Sequence, residues 1–121
     1  MDTTTLIDTY LDAYGEPDRA RRDTLIAGVF SADGTLVDPP LTGDGHAGIS
    51  DMAEAVQSQF AGHRFRRTSG VDEHHGFARY GWELVGPDGA VAVGGVDVAE
   101  LDGEGRLRRV VGFFGPLPDA G

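Results

Sequence analysis

Asp38 and Asp97 are the two carboxylates of this 121-residue chain whose surroundings suit acid-base chemistry. In "AVAVGGVDVA", residues 90 to 99, Asp97 is the only ionisable group, and strand alternation puts Val91, Val93, Gly95, Ala99 and Leu101 on its face. A carboxylate among such neighbours is costly unless it is paired, hydrogen-bonded or protonated, and desolvation raises its pKa. Kept protonated near neutral pH, it can donate a hydrogen bond to a developing oxyanion, which an ionised aspartate cannot do. The opposite face (Ala92, Gly94, Val96, Val98) is equally apolar, so periodicity alone also allows Asp97 to point to solvent. Asp38 closes "TLVDPP", residues 35 to 40. Asp is favoured at turns, and the residue before a proline is driven to extended angles, so by itself Asp38 reads as a strand end as readily as a general base.

Other groups give less. Tyr10 and Tyr14 lie one helical turn apart on an apolar face, where tyrosines are usually core residues whose hydroxyl finds a partner. His74 and His75 are adjacent, His46 lies in a Gly-rich loop and His63 at a strand entry, with no HxH or HExxH spacing, so no metal site is expected. Ser50 lies in "GISDM" rather than a G-x-S-x-G elbow. The "RFRR" run, Arg64 to Arg67, reads as a solvated strand edge.

The elements that must position these groups follow from hydrophobic period. Leu6, Ile7, Tyr10, Leu11 and Tyr14 predict a helix over 4–14, with Thr5 and Asp8 as its capping box. Pro17 suits the first turn of a second helix, whose apolar face is Leu25, Ile26, Val29 and Phe30, ended by "SADG". A short strand over 35–38 precedes a third helix carrying Ile49, Met52, Ala53, Val56 and Phe60. From His63 onward "RFRRTSGV", "FARYGWELV", "AVAVGGVDVAEL" and "RLRRVVGFF" predict strands separated by hairpin turns at "DEHHG", "GPDG" and "DGEG". Helices first and an antiparallel meander after imply one α+β domain over 1–121, with helices packed on one face of a curved sheet. The final "PLPDAG" is expected to be an unpaired tail.

Composition removes several function classes. Twenty acidic against ten basic residues leave a net charge of -10, which disfavours nucleic acid and anionic membrane surfaces. All ten basic residues are Arg; without Lys or Cys there is no Schiff-base lysine, thiolate nucleophile, disulfide or Cys-ligated metal. "MDTTTLIDTY" lacks a signal-peptide pattern and no long apolar run occurs, so a cytoplasmic location is expected.

The order helix, helix, "FSADGTLVDP", Gly-rich loop, helix and four strands ending "RVVGFFG" resembles the NTF2-like superfamily, and within it the SnoaL-like and ketosteroid-isomerase-like proteins, from Thr5 to about Pro118. The resemblance implies a cystatin-like fold: a cone-shaped, curved antiparallel sheet wrapped by three helices around an apolar pocket, commonly in a homodimer. The isomerases use an aspartate base before a proline, an aspartic acid deep on a strand and a tyrosine on the first helix. Asp38, eight residues after Phe30, matches the first, and Asp97, eighteen residues before Gly115, matches the second. The tyrosine is Tyr10 if four extra residues fall in "GEPDRARRD", and Tyr14 if they precede it. The same correspondence turns Tyr80, Trp82, Gly112 and Phe114 toward the pocket, joined by Phe60, while Ala53 stands where the isomerases carry a further tyrosine. It implies an isomerase or polyketide-cyclase-type enzyme. Asp38, Asp97 and Tyr10 would act through an enolate on a small hydrophobic carbonyl compound, without metal or organic cofactor. The alternative is a non-catalytic protein that binds such a ligand.

Overall fold

The computed structural model describes residues 1–121. Helix α1 (Thr3–Tyr14) is capped by Asp2, whose carboxylate accepts from the Thr5 backbone N–H at 2.7 Å, and it ends at Gly15. The cap thus lies one turn before the expected Thr5–Asp8 box, and Asp8 instead pairs with Arg67 at 2.8 Å. Asp18 caps α2 (Arg19–Val29) through the Arg21 N–H, so Pro17 stands just outside the helix rather than in its first turn.

Strand β1 (Phe30–Asp38) follows α2 directly and is more than twice as long as the sequence predicts, because "SADG" continues the strand instead of breaking it. Pro39 and Pro40, joined by a cis bond, turn the chain into β2 (Leu41–Asp44), a strand the apolar pattern is too short to announce. Helix α3 (Gly45–Gln59) buries Ile49, Ser50, Met52 and Ala53. Then come β3 (Arg64–Arg67), β4 (Asp72–His74), β5 (Phe77–Val85), β6 (Val91–Leu101) and β7 (Leu107–Phe114). Asp72–His74 pair with Phe77–Arg79, so the turn sits at His75 and Gly76, both with positive φ, and "DEH" is strand rather than loop.

The sheet order is β2-β1-β7-β6-β5-β3, with β4 also on β5. Its β5, β6 and β7 form the expected antiparallel meander, but β1 runs parallel to β7, so the seven-stranded sheet is mixed. A parallel neighbour needs a long crossover, and here the chain between the two strands supplies it. The helices cover one face, and Leu36, Trp82, Leu84, Ala99, Leu107 and Val110 point into the core between sheet and helices. The other face leaves Val96, Val98 and Phe113 exposed. The tail after Gly115 is exposed and unpaired.

The helical layer is locked by Arg22, which is wholly buried. Its guanidinium donates to Ser50 Oγ at 3.0 Å, to the Glu16 carbonyl at 2.9 Å and to Glu54 Oε2 at 2.6 Å. These contacts join α2 to α3 and to the end of α1. Glu54 is more than half exposed and regains water if the guanidinium is lost, and Ser50 still donates to Asp23, whereas the Glu16 carbonyl loses its buried donor. Arg22→Met is therefore expected to lower the unfolding free energy by about 2–3 kcal/mol in urea melts, and an unchanged midpoint would contradict this account.

Candidate functional site

Alternation along β1 puts Leu36 and Asp38 on the inner face and Val37 outside. Along β6, Asp97 and Ala99 face inward while Val96 and Val98 are exposed, which settles the face that the sequence leaves open. Asp38 and Asp97 are 7% and 4% exposed. Their strands flank β7, and the residue opposite Asp97 on β7 is Gly112. A Cβ on Gly112 would stand 2.5 Å from Asp38 Oδ1 and 3.1 Å from Asp97 Oδ1, so the missing side chain is what lets both carboxyls approach the same point on β7. Each Oδ2 is held by a tyrosine: Tyr14 of α1 donates to Asp38 at 3.0 Å, and Tyr80 of β5 donates to Asp97 at 2.8 Å.

Burial is the main force on both acids. Desolvation pushes Asp38 up to about 6 against the lowering effect of the Tyr14 hydroxyl. Asp97 is pushed up to about 7, by desolvation first and also by the Asp38 charge, while the Tyr80 hydroxyl and the Trp82 indole favour its ionised form. Both acids are held toward the protonated form, and Asp97, the more deeply buried and the one raised by its neighbour's charge, keeps its proton to higher pH. Burial and the neighbouring carboxylates push Tyr10, Tyr14 and Tyr80 well above the usual phenol range, so these hydroxyls remain protonated.

Asp38 opens onto a cavity of about 330 Å³. Among the residues around it, Phe60, Phe65, Trp82 and Phe114 supply aromatic walls, Pro39 and Pro40 form part of the rim, and none is Arg, Lys or His. Of the residues expected at a site, Asp38, Tyr14, Phe60, Trp82 and Phe114 border this cavity. Asp97, Tyr80 and Gly112 lie behind Asp38. Tyr10 is buried against Tyr14 and Phe30 and bonds to neither carboxylate, so Tyr14 is the tyrosine that engages the pair. Phe65, stacked on Tyr14 with ring centroids 4.6 Å apart, is a wall residue that the sequence reading misses, although alternation within "RFRR" turns it inward. The histidines stay apart: His46 donates from Nε2 to the Phe30 and Ser31 carbonyls, and His74 and His75 contact each other at an exposed turn. No three His, Cys, Asp or Glu side chains converge as metal ligands. No helix is long and apolar enough to cross a membrane.

Three helices on a curved mixed sheet, with a cavity between, define an NTF2-like, cystatin-like fold. No protein-family model and no curated protein matches the chain. Among solved structures it is similar to a candidate isomerase of the SnoaL-like family from Agrobacterium tumefaciens str. C58, with 40% identity over 93% of this chain and 97% of that one, and a TM-score of 0.87. The chain belongs to the SnoaL-like family. A hypothetical protein with a ketosteroid isomerase-like fold from Catenulispora acidiphila DSM 44928, in complex with trimethylamine, is 16% identical over 93% of this chain and 86% of that one, with a TM-score of 0.75. An NTF2-like protein of unknown function from Exiguobacterium sp. 255-15 is 20% identical over 93% and 99%, with a TM-score of 0.68. These two share the fold alone.

The buried acids make stability depend on pH. Asp97 rises from 3.8 unfolded to about 7 folded, so the native state keeps a proton that the unfolded chain releases. The resulting stability is complete below about pH 4 and is lost as pH climbs through 7. Asp97→Asn keeps an acceptor for Tyr80 but cannot ionise. Relative to wild type it is expected to gain stability on the order of 3 kcal/mol between about pH 4 and about pH 8, read from urea melts at both values. Parallel pH dependence in the two proteins would contradict the buried-acid assignment.

Proposed function

We propose that the chain is a cofactor-independent isomerase or cyclase acting on an uncharged, hydrophobic carbonyl compound through an enol or enolate. The observation that carries this reading is the approach of two buried carboxyls to one point over Gly112, one of them opening onto an aromatic-walled cavity. Asp38 is the base. It takes the proton α to the carbonyl; the C–H electron pair becomes the enolate C=C bond as the carbonyl π pair moves onto oxygen. Asp38 then returns the proton to another carbon, or the enolate carbon attacks a second carbonyl carbon of the same molecule, whose π pair moves onto its oxygen and takes the proton back from Asp38.

Tyr14 fixes the orientation of Asp38, and Asp97 serves as its acid partner. With one proton on the pair, Asp97 can donate from Oδ1 toward Asp38 Oδ1, which is buried and has no other partner. After proton abstraction both acids carry a proton, and Asp38, the one that borders the cavity, presents its O–H to the enolate while Asp97 supports it from behind. The direct oxyanion contact expected of Tyr10 has no support in its position. Because no cationic side chain borders the cavity and the chain carries a net charge of -10, carboxylate and phosphate substrates are disfavoured.

The test is exchange of α-protons in D₂O across a panel of enolisable ketones, followed by NMR. Asp38→Asn is expected to slow exchange about 10²- to 10⁴-fold, the usual worth of a positioned base. The wild-type rate should rise as Asp38 ionises near 6 and fall as Asp97 ionises near 7, giving a narrow bell. A ketone that binds saturably but never exchanges would favour a non-catalytic binder. Full activity in both Asp38→Asn and Asp97→Asn would sink the mechanism. For the outer sheet face, where Val96, Val98 and Phe113 stay exposed, we propose a second copy as the occupant. Sedimentation should then give a dimer that Val98→Asp dissociates, and a monomeric wild type would refute it.

A further inference from the structure

Trp82 is the only tryptophan in the chain, and its indole is held from several sides. Its ring meets Phe65 and Phe114 edge-on, each at a centroid distance of 5.7 Å. It pairs in register with Gly95, where an added Cβ would lie 3.0 Å from the indole Cζ2. Despite this fixed setting, Nε1 is buried with no hydrogen-bond partner. A buried, unpartnered N–H is rare and costly, and in a native structure it calls for a specific reason. Trp82 follows Tyr80 on the same face of β5, and Asp97 stands opposite Tyr80, so the indole is a diagonal neighbour of that carboxyl. It is near enough to act as a donor that favours the ionised form of Asp97, although its N–H does not meet full hydrogen-bond geometry with any acceptor.

We propose that Trp82 is a positioning residue for the carboxyl pair: its indole N–H, unpartnered while Asp97 is protonated, donates to Asp97 when that carboxyl loses its proton. The groups that face Asp97 are Tyr80 from β5, Asp38 from β1 and the hydroxyls of Tyr10 and Tyr14 from α1. None is cationic. Tyr80 already bonds to Asp97 Oδ2 and Tyr14 to Asp38, so the free donors near Asp97 are the Tyr10 hydroxyl and the indole N–H, and of these the indole lies on the strand paired with Asp97. A donor unsatisfied in one protonation state and satisfied in the other stabilises the second selectively, which is how a preorganised site assists proton transfer. The hydrogen bond itself depends only on the fold; its catalytic consequence rests on the acid-base reading above.

Because the indole is unique, it is its own probe. In ¹H–¹⁵N spectra of the full chain between about pH 5 and about pH 9, the single indole N–H resonance should move downfield with a midpoint near 7. The movement should vanish in Asp97→Asn. In Asp38→Asn it should persist with a lower midpoint, because the Asp38 charge that raises Asp97 is gone. A resonance that does not titrate, or that titrates in Asp97→Asn, overturns the proposal. On any ketone that exchanges, Trp82→Phe keeps a ring of similar character and removes the N–H; the basic limb of its rate profile should move up by about one pH unit. An unmoved limb would overturn the catalytic consequence, while loss of activity in the aspartate variants alone would leave the acid-base reading intact.

Discussion

Holding two carboxyls together inside an apolar face is the constraint on which the rest of this structure depends. Two carboxyls that both reach over Gly112 in a poorly solvated setting are costly to keep ionised together, so the pair must keep a proton, find donors, or both. The fold provides for this at several levels. Parallel pairing of β1 with β7 brings the end of "TLVD" alongside Gly112, antiparallel pairing of β6 with β7 brings Asp97 to the same glycine, and no side chain intervenes. Any larger residue at 112 would have to displace Asp38 first.

The tyrosines set how far the acids are pushed. Each directs its hydroxyl at one Oδ2, which stabilises the ionised carboxylate and opposes desolvation. The outcome is a pair near 6 and 7 rather than two acids locked neutral. The donors are unlike in origin: Tyr80 comes from the adjoining strand and moves with the sheet, while Tyr14 comes from a helix whose placement depends on its stacking against Phe65. Asp97 is thus held within one layer and Asp38 between two.

Much of this was legible in the residues. Alternation put Tyr80 and Trp82 on a common face, and the single ionisable position in "AVAVGGVDVA" marked Asp97. What alternation could not fix was which face of a uniformly apolar strand is inward, since that depends on where the helices pack. The choice between Tyr10 and Tyr14 stayed open for a related reason. Both lie on the buried stripe of α1, and only the axial offset of that helix against β1 decides which hydroxyl reaches Asp38. Helical periodicity gives rotation about the axis and says nothing of sliding along it. Similarly, β2 and the N-terminal half of β1 were hidden because their strand character comes from pairing with neighbours rather than from apolar pattern.

Gly112 shows where the remaining information lay. In a strand a glycine ordinarily weakens packing, and its usual explanation is a close approach by something else. The sequence places "VVGFF" opposite "VDV" in a meander, so the glycine's partner is an aspartate, but a second aspartate can share that vacancy only if another strand adds on the far side of β7. That strand is β1, which lies far earlier in the chain, and no local pattern bridges such a separation. The register that sets Leu36 beside Val110 and Val37 beside Val111 is imposed by the whole domain. Acidity at the site is therefore a property of topology: the residues carry the charge, and the crossover decides that the pair must keep a proton.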